Sequence, residues 1–216
     1  EYMPLLIGLS IAGVIYGSIV ALRQNDLKKL LAYSSLAHVG LIAAGCYTLT
    51  LDGLSGAVHQ MIAHGFVIVG LFFAAEVLYR RYETRKINEL GGIRSQSSKF
   101  TSLFMILVLA SVALPGTYNF VGEFTVLYSL SQVNIWFAVL GGTTIILGAY
   151  YMLKMFQNVM LGETNEKPFQ EISTNEIITF IILIVFLLFF GLFPKSISDL
   201  INPTLNEIFS TINRIK

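Results

Sequence analysis

The chain has 216 residues, of which 55% are hydrophobic and only 12% are charged. A soluble domain carries about 25% charged residues, so much of this surface must face lipid, which excludes an ordinary soluble enzyme. The net charge of +1 and the lack of a stripe of basic and aromatic residues give no indication of nucleic-acid binding.

Three common kinds of chemistry are missing from the sequence. The single cysteine, Cys46, cannot form an intrachain disulfide or a Cys-rich zinc or iron–sulfur site. The sequence contains no Gly-rich phosphate loop, no nucleotide-binding fingerprint and no nucleophile elbow. We therefore expect no cofactor in this chain, and expect any redox or nucleotide chemistry to take place elsewhere.

Six apolar stretches approach or exceed the roughly 17–25 residues with which a helix crosses a bilayer. They are Pro4–Leu22, Leu30–Leu49, Leu54–Tyr79, Phe100–Leu130, Ile135–Leu153 and Ile177–Phe193. We predict an all-α polytopic membrane protein of six transmembrane helices, with an N-cap of the last helix at Ser173 or Thr174 and an amphipathic tail beyond Pro194. No basic region or cleavage site precedes the first stretch, so we expect the sequence to come from the middle of a longer protein.

Basic residues are distributed unevenly between the two sides of the predicted membrane. Eleven of the fourteen Lys and Arg residues fall on the side of the Arg23–Asp26 turn and of the charged loop Arg80–Lys99. The positive-inside rule places this side in the cytoplasm. Because six spans return the chain to its starting side, we expect both of its ends on the outer side.

The fourth stretch is too long for one straight span and is broken in its middle by the segment Leu114–Asn119. Pro115 removes a backbone donor and Gly116 frees the backbone, so we predict a discontinuous helix at Pro115-Gly116. Within hydrocarbon, such a break persists only where protein or water satisfies the peptide groups, and broken helices mark ion sites in transporters. A plain proline kink is the alternative interpretation.

Glu123 lies four residues after Asn119, near the start of the second half of this broken span. A charge at mid-membrane costs at least about 2.5–3.5 kcal/mol, which makes it a functional candidate. Burial favours the neutral carboxyl, whereas the positive end of the half-helix favours the carboxylate, so the group is suited to exchanging protons. The alternative is a structural carboxylate that binds the amides freed by the break.

His38 and His64 lie inside the second and third stretches. Histidine gives and accepts protons near physiological pH, so these two indicate a proton relay, although each can also be a hydrogen-bonded core residue. Lys28, at the cytoplasmic start of the second stretch, is a weaker candidate, because a lysine there can simply anchor the helix in the interface. His59 lies on a different helical face from His64, so we predict no metal site.

Four segments of this chain together closely resemble one family. They are Leu22–His38 (LRQNDLKKLLAYSSLAH), Gln60–Gly65 (QMIAHG), Leu90–Gly92 (LGG) and Leu114–Phe124 (LPGTYNFVGEF). Their order and spacing resemble the antiporter-like subunits of NADH-quinone oxidoreductase (respiratory complex I), and within them subunit M, which is called chain 4 in mitochondria. Mrp-type cation/proton antiporter subunits share the architecture but usually carry lysine at the position of Glu123.

The resemblance implies two inverted five-helix repeats in the whole protein, each with one broken helix. Residues 1–160 then form the second repeat, and residues 161–216 form a polar connection, the final transmembrane helix and the tail. Glu123 matches the proton-exchange site of the family's broken helix, whereas His38 and His64 match histidines of its central polar axis. Lys28 matches a lysine of the family, but less specifically. The resemblance assigns no role to His59 or Lys154.

The function implied is proton translocation in the bacterial inner membrane, with both ends of the chain on the periplasmic side. The expected partners are other membrane subunits of complex I, the lipid bilayer, protons and internal water, and not nucleic acid. NADH, FMN, iron–sulfur clusters and quinone are expected in other subunits. Two alternatives stay open: an Mrp-type sodium/proton antiporter subunit and a passive membrane scaffold.

Overall fold

The computed structural model describes residues 2–163 and 167–215, and every described regular element except one isolated backbone pairing is helical. The predicted domain of residues 161–216 therefore includes four residues, 164–166 and 216, that lie outside the described part. The helices are α1 (Met3–Leu22), α2 (Leu27–Tyr47), α3 (Leu51–Tyr82), α4 (Ile93–Gln96), α5 (Ser98–Ser111), α6 (Tyr118–Val133), α7 (Ile135–Phe156), α8 (Thr174–Leu192) and α9 (Lys195–Ile215). One 3-10 turn (Ile87–Glu89) precedes α4, and a π turn (Gln157–Leu161) extends α7.

Five of these helices are long and apolar enough to cross a membrane: α1, α2, α3, α7 with its π turn, and α8. The remaining predicted span consists of the shorter helices α5 and α6, which are separated by residues 112–117. The all-α polytopic fold predicted from the sequence is therefore confirmed, and so is the interruption of the fourth span at Pro115-Gly116.

Polar residues at the helix ends explain where several helices begin. The Asp26 side chain accepts a hydrogen bond from the Lys29 amide at 2.9 Å, which caps α2. Ser173 and Glu176 form a capping box at the start of α8, as expected for a serine three residues before a glutamate. The N-cap predicted at Ser173 or Thr174 therefore falls at Ser173.

The loops at the predicted cytoplasmic end are joined by hydrogen bonds and an ion pair. Leu27 N donates to Arg85 O and Ile87 N donates to Asn25 O, each at 2.8 Å, so the α1–α2 turn pairs with the loop after α3. Arg81, near the end of α3, binds the Glu176 carboxylate at 2.9 Å. These contacts fix the register between the helices at this end, and hence the heights of the polar residues inside the bundle.

Glycines allow the helices that carry the buried polar residues to approach closely. A Cβ atom on Gly40 of α2 would lie 2.9 Å from the Ser10 carbonyl oxygen of α1. A Cβ atom on Gly56 of α3 would lie 2.9 Å from the Val126 amide of α6, and one on Gly122 of α6 would lie 2.6 Å from Gln60 Cα. These distances are far below normal van der Waals contact, so only glycine permits the observed packing of α3 on α6.

Candidate functional site

Glu123 is 1% exposed and lies in the second turn of α6, enclosed by side chains from α2 and α3. Gln60 Nε2 of α3 donates a hydrogen bond to Glu123 Oε1 at 3.1 Å. His38 Nδ1 of α2 lies 2.9 Å from the same oxygen, which is an ion-pair distance, although the ring nitrogen makes no well-aligned hydrogen bond. The carboxyl group is thus in direct contact with one titratable ring and one neutral donor.

Gly122, the residue before Glu123, allows Glu123 to lie next to Gln60. Gly122 lies against the backbone of Gln60, so α3 and α6 are in contact one residue away from the carboxylate. The dipole of α6 acts mainly within its first turn, whereas Glu123 lies in the second. His38 and Gln60 therefore contact the carboxyl group at a position where the dipole of α6 acts weakly.

His64 extends this cluster from Glu123 along the bundle. Its ring centroid lies 5.2 Å from that of His38, and its Nε2 atom lies 2.8 Å from Ser35 Oγ of α2. The two rings are 5% and 8% exposed. The structure thus brings together Glu123, His38 and His64 in the order carboxyl, imidazole, imidazole, as a relay requires.

Several buried polar atoms around these residues have no hydrogen-bond partner among the described residues. They are both side-chain atoms of Asn119, Gln60 Oε1, His38 Nδ1 and His64 Nδ1. Buried polar groups left unpaired cost roughly 1–3 kcal/mol each, and internal water is their usual partner. Buried polar atoms of this kind beside titratable groups are sites at which internal water can bind.

The break of the fourth span lies close to the carboxyl group along the chain. Pro115 and Gly116 lie inside residues 112–117, whereas Asn119 lies in the first turn of α6 and is fully buried. Gly116 has φ = +94°, a value that favours glycine. On α8, a Cβ atom on Gly191 would lie 2.4 Å from the Gly116 carbonyl oxygen, so protein covers one side of the exposed backbone.

Lys28 is not brought to this cluster. Its Nζ atom binds Glu76 Oε2 at 2.8 Å, and Glu76 also binds Arg80 through Oε1 at 3.1 Å. Ten residues of α2 separate Lys28 from His38, which is about 15 Å along a helix. The pairing of Glu76 with Arg80 joins residues one helical turn apart, whereas its pairing with Lys28 joins α3 to α2 and was not predicted.

Gln60 and a second buried histidine contact were not predicted from the sequence. His59 Nδ1 lies 2.9 Å from Tyr118 Oη, and its Nε2 atom lies 3.1 Å from Ser198 Oγ of α9. The only available signal was the polar character of Gln60 and His59 within an apolar stretch. In the part of the chain that the structure describes, no three His, Cys, Asp or Glu side chains are grouped as a metal site would need.

The fold and the site define an integral membrane protein with a buried carboxyl–imidazole cluster beside a broken helix, an arrangement that is typical of transporters. A family model described as NADH:quinone oxidoreductase/Mrp antiporter, transmembrane, matches residues 1–148. The chain therefore belongs to this family of membrane proteins.

Individual relatives agree with this assignment. NADH-quinone oxidoreductase subunit M of Rickettsia typhi is 40% identical over 211 residues, which are 96% of this chain and 43% of that protein. A chain of respiratory complex I from Thermus thermophilus is 32% identical with a TM-score of 0.91, covering 97% of this chain and 44% of that one. A chain of the Mrp complex from Dietzia sp. is 18% identical with a TM-score of 0.85, covering 95% and 48%, and shares the fold. The present chain thus spans less than half the length of the curated relatives that it matches.

Proposed function

We propose that this chain is the proton-translocating part of a membrane subunit of NADH-quinone oxidoreductase. Redox reactions of NADH and quinone, which would occur in other subunits with their FMN and iron–sulfur clusters, drive proton transfer along the polar axis of this subunit. The similarity to subunit M supports the choice of complex. The remaining membrane subunits of that complex are its partners, and the bacterial inner membrane is its location, with the residues before α1 and after α8 on the periplasmic side.

One observation carries the proposal: Glu123 is fully buried and lies 2.9 Å from His38 Nδ1. A proton on the imidazole gives an ion pair, whereas the same proton on the carboxyl gives a neutral pair, so the two states differ by the position of one proton. Neither charge has bulk water nearby to stabilise it, so a change of charge elsewhere in the complex shifts this balance strongly. His64 and Ser35 continue the path away from Glu123.

The replacement of Glu123 by glutamine tests the proposal. Glu123→Gln keeps the size of the side chain and a hydrogen-bond acceptor for Gln60 but cannot release a proton. In the full-length protein within its assembled complex, we expect proton uptake into inside-out membrane vesicles to be abolished or sharply reduced per NADH oxidised. Glu207→Gln is the matched control, because Glu207 is exposed on α9. Normal pumping by an assembled Glu123→Gln complex would refute the relay role.

An Mrp-type sodium/proton antiporter subunit is the second candidate, because the matching family model covers both classes and the Mrp chain has the same fold. Glu123 disfavours it, since lysine is usual there in such antiporters. Sodium-dependent proton transport without NADH would identify the antiporter. A passive scaffold instead predicts that Glu123→Gln, His38→Ala and His64→Ala all leave transport unchanged.

A further inference from the structure

A second buried polar group lies on the other side of α3 from His64. His59 is 2% exposed and Tyr118 is fully buried, whereas Ser198 is half-buried in the first turn of α9. We define these three residues as the His59 triad. Both ring nitrogens of His59 contact a hydroxyl group, Tyr118 Oη at 2.9 Å and Ser198 Oγ at 3.1 Å.

The His59 triad leads from the broken helix towards the end of the bundle that is predicted to face the outer side. Tyr118 is the first residue of α6, directly after the break. Ser198 follows the end of α8, whereas Glu176, which binds Arg81, lies at the start of α8. Ser198 therefore lies at the opposite end of the bundle, on the predicted outer side. Its neighbours Lys195 and Asp199 are exposed. The triad therefore connects the residue that follows the break to a half-buried serine whose neighbours are exposed.

The triad begins beside the residues that hold Glu123. Gln60, which binds Glu123, is the next residue after His59, and Asn119 is the next residue after Tyr118. Asn119 lies on the same helical face as Glu123, four residues away. The polar side-chain atoms of Asn119 and the Oε1 atom of Gln60 are buried without a hydrogen-bond partner among the described residues, and atoms of this kind bind internal water, which can carry a proton over a short gap.

We propose that the His59 triad is the outer leg of the proton path, through which Glu123 exchanges protons with the periplasmic side. This inference rests on the proposed function. Tyr118 passes its hydroxyl proton to His59 Nδ1 while it receives another from the Asn119 side, and His59 releases its Nε2 proton to Ser198 Oγ, which passes its own proton to the surface. No bond other than O–H and N–H bonds is made or broken, and imidazole and hydroxyl groups each both donate and accept.

The three members of the triad can be altered with little change in shape. Tyr118→Phe removes one oxygen atom and keeps the ring contacts with Phe186 and Phe190 at 6.3 Å and 5.7 Å between centroids. His59→Gln keeps polar atoms but cannot relay a proton from one nitrogen to another, and Ser198→Ala removes only the hydroxyl. Tyr82→Phe is the matched control, because Tyr82 is also buried but lies at the cytoplasmic end of α3.

The test uses the full-length protein in its assembled complex in inside-out vesicles. We expect Tyr118→Phe and His59→Gln to slow NADH-driven proton uptake about 100-fold, at the lower end of the usual effect of removing an acid–base group, and to increase the solvent deuterium isotope effect on uptake. Ser198→Ala should slow uptake less, because water can replace a half-buried hydroxyl. Tyr82→Phe should leave both quantities unchanged.

The outcomes separate this inference from the proposed function. If Glu123→Gln is inactive while Tyr118→Phe and His59→Gln pump at the normal rate, the triad is not the outer leg, but the relay at Glu123 stands. A slower uptake without a larger isotope effect indicates a structural role of the triad and also overturns the inference. If Glu123→Gln itself pumps normally, the proposed function fails first. Should His59→Gln not assemble, Tyr118→Phe alone decides.

Discussion

Replacing Gly122 by alanine should separate the two helices that hold the buried carboxyl group. The new Cβ atom would lie 2.5 Å from Gln60 Oε1 and 2.6 Å from Gln60 Cα, whereas non-bonded carbon atoms prefer about 3.5–4.0 Å. α3 and α6 must therefore move apart by about 1 Å at this height. Overpacking of this kind costs about 1–3 kcal/mol.

The displacement acts directly on the site because Gly122 precedes Glu123. The Gln60–Glu123 hydrogen bond, now 3.1 Å long, would lengthen to about 4 Å, beyond the range of a hydrogen bond. A misplacement of about 1 Å at a reacting group can reduce a rate about 10²-fold. We expect Gly122→Ala to reduce NADH-driven proton uptake at least tenfold and to lower the thermal unfolding temperature of the full-length protein in detergent.

Gly142 provides the control for this substitution. A Cβ atom on Gly142 of α7 would meet no described atom within 4 Å, so Gly142→Ala should be neutral or stabilise the helix by about 0.5–1 kcal/mol. Both variants add the same methyl group to a transmembrane helix, and only one of them adds it between α3 and α6. If Gly122→Ala pumps and unfolds like the unmodified protein, the argument that close packing positions Glu123 is wrong.

Two further predictions concern stability, each measured by thermal unfolding of the full-length protein in detergent. Gly116→Ala should destabilise the protein by about 1–2 kcal/mol through backbone strain alone, because φ is +94° and the added methyl group would meet no atom of another described residue within 4 Å, its chain neighbours apart. Unchanged stability would show that the break does not need this conformation. Arg81→Gln should cost about 3 kcal/mol, because Glu176 is left largely buried without its partner. Arg80→Gln should cost less than about 1 kcal/mol, because the Arg80 side chain is 71% exposed, and equal losses for the two variants would contradict the distinction.

The spans and the break were predictable because they depend on local properties. Long apolar stretches define spans wherever lipid is the solvent, and Pro115-Gly116 interrupts a helix irrespective of what packs around it. At the predicted cytoplasmic side, α2 begins at Leu27 rather than at Leu30, and α3 ends at Tyr82 rather than at Tyr79. Hydropathy ends a span at the first charges, whereas the hydrogen-bonded helix continues through Lys28, Lys29, Arg80 and Arg81.

The partners of the site residues were not predictable, because they depend on how the helices pack. Gln60 reaches Glu123 only because a glycine allows α3 and α6 to touch, and a single sequence does not show which glycines face which helix. The contact of Lys28 with Glu76 joins residues 48 positions apart. The rotation between His59 and His64 was predictable from helix geometry, but the position of Ser198 beside His59 depends on where α9 returns to the bundle.

In the proposed mechanism, Glu123 gains and loses a proton during turnover. Infrared difference spectroscopy of the assembled complex, recorded on addition of NADH, detects the C=O stretching band of a protonated carboxyl group. We expect a carboxyl band that changes with turnover, is absent from Glu123→Gln and persists in the Glu207→Gln control. If the Glu123→Gln complex still shows every carboxyl band that changes during turnover, Glu123 does not exchange a proton.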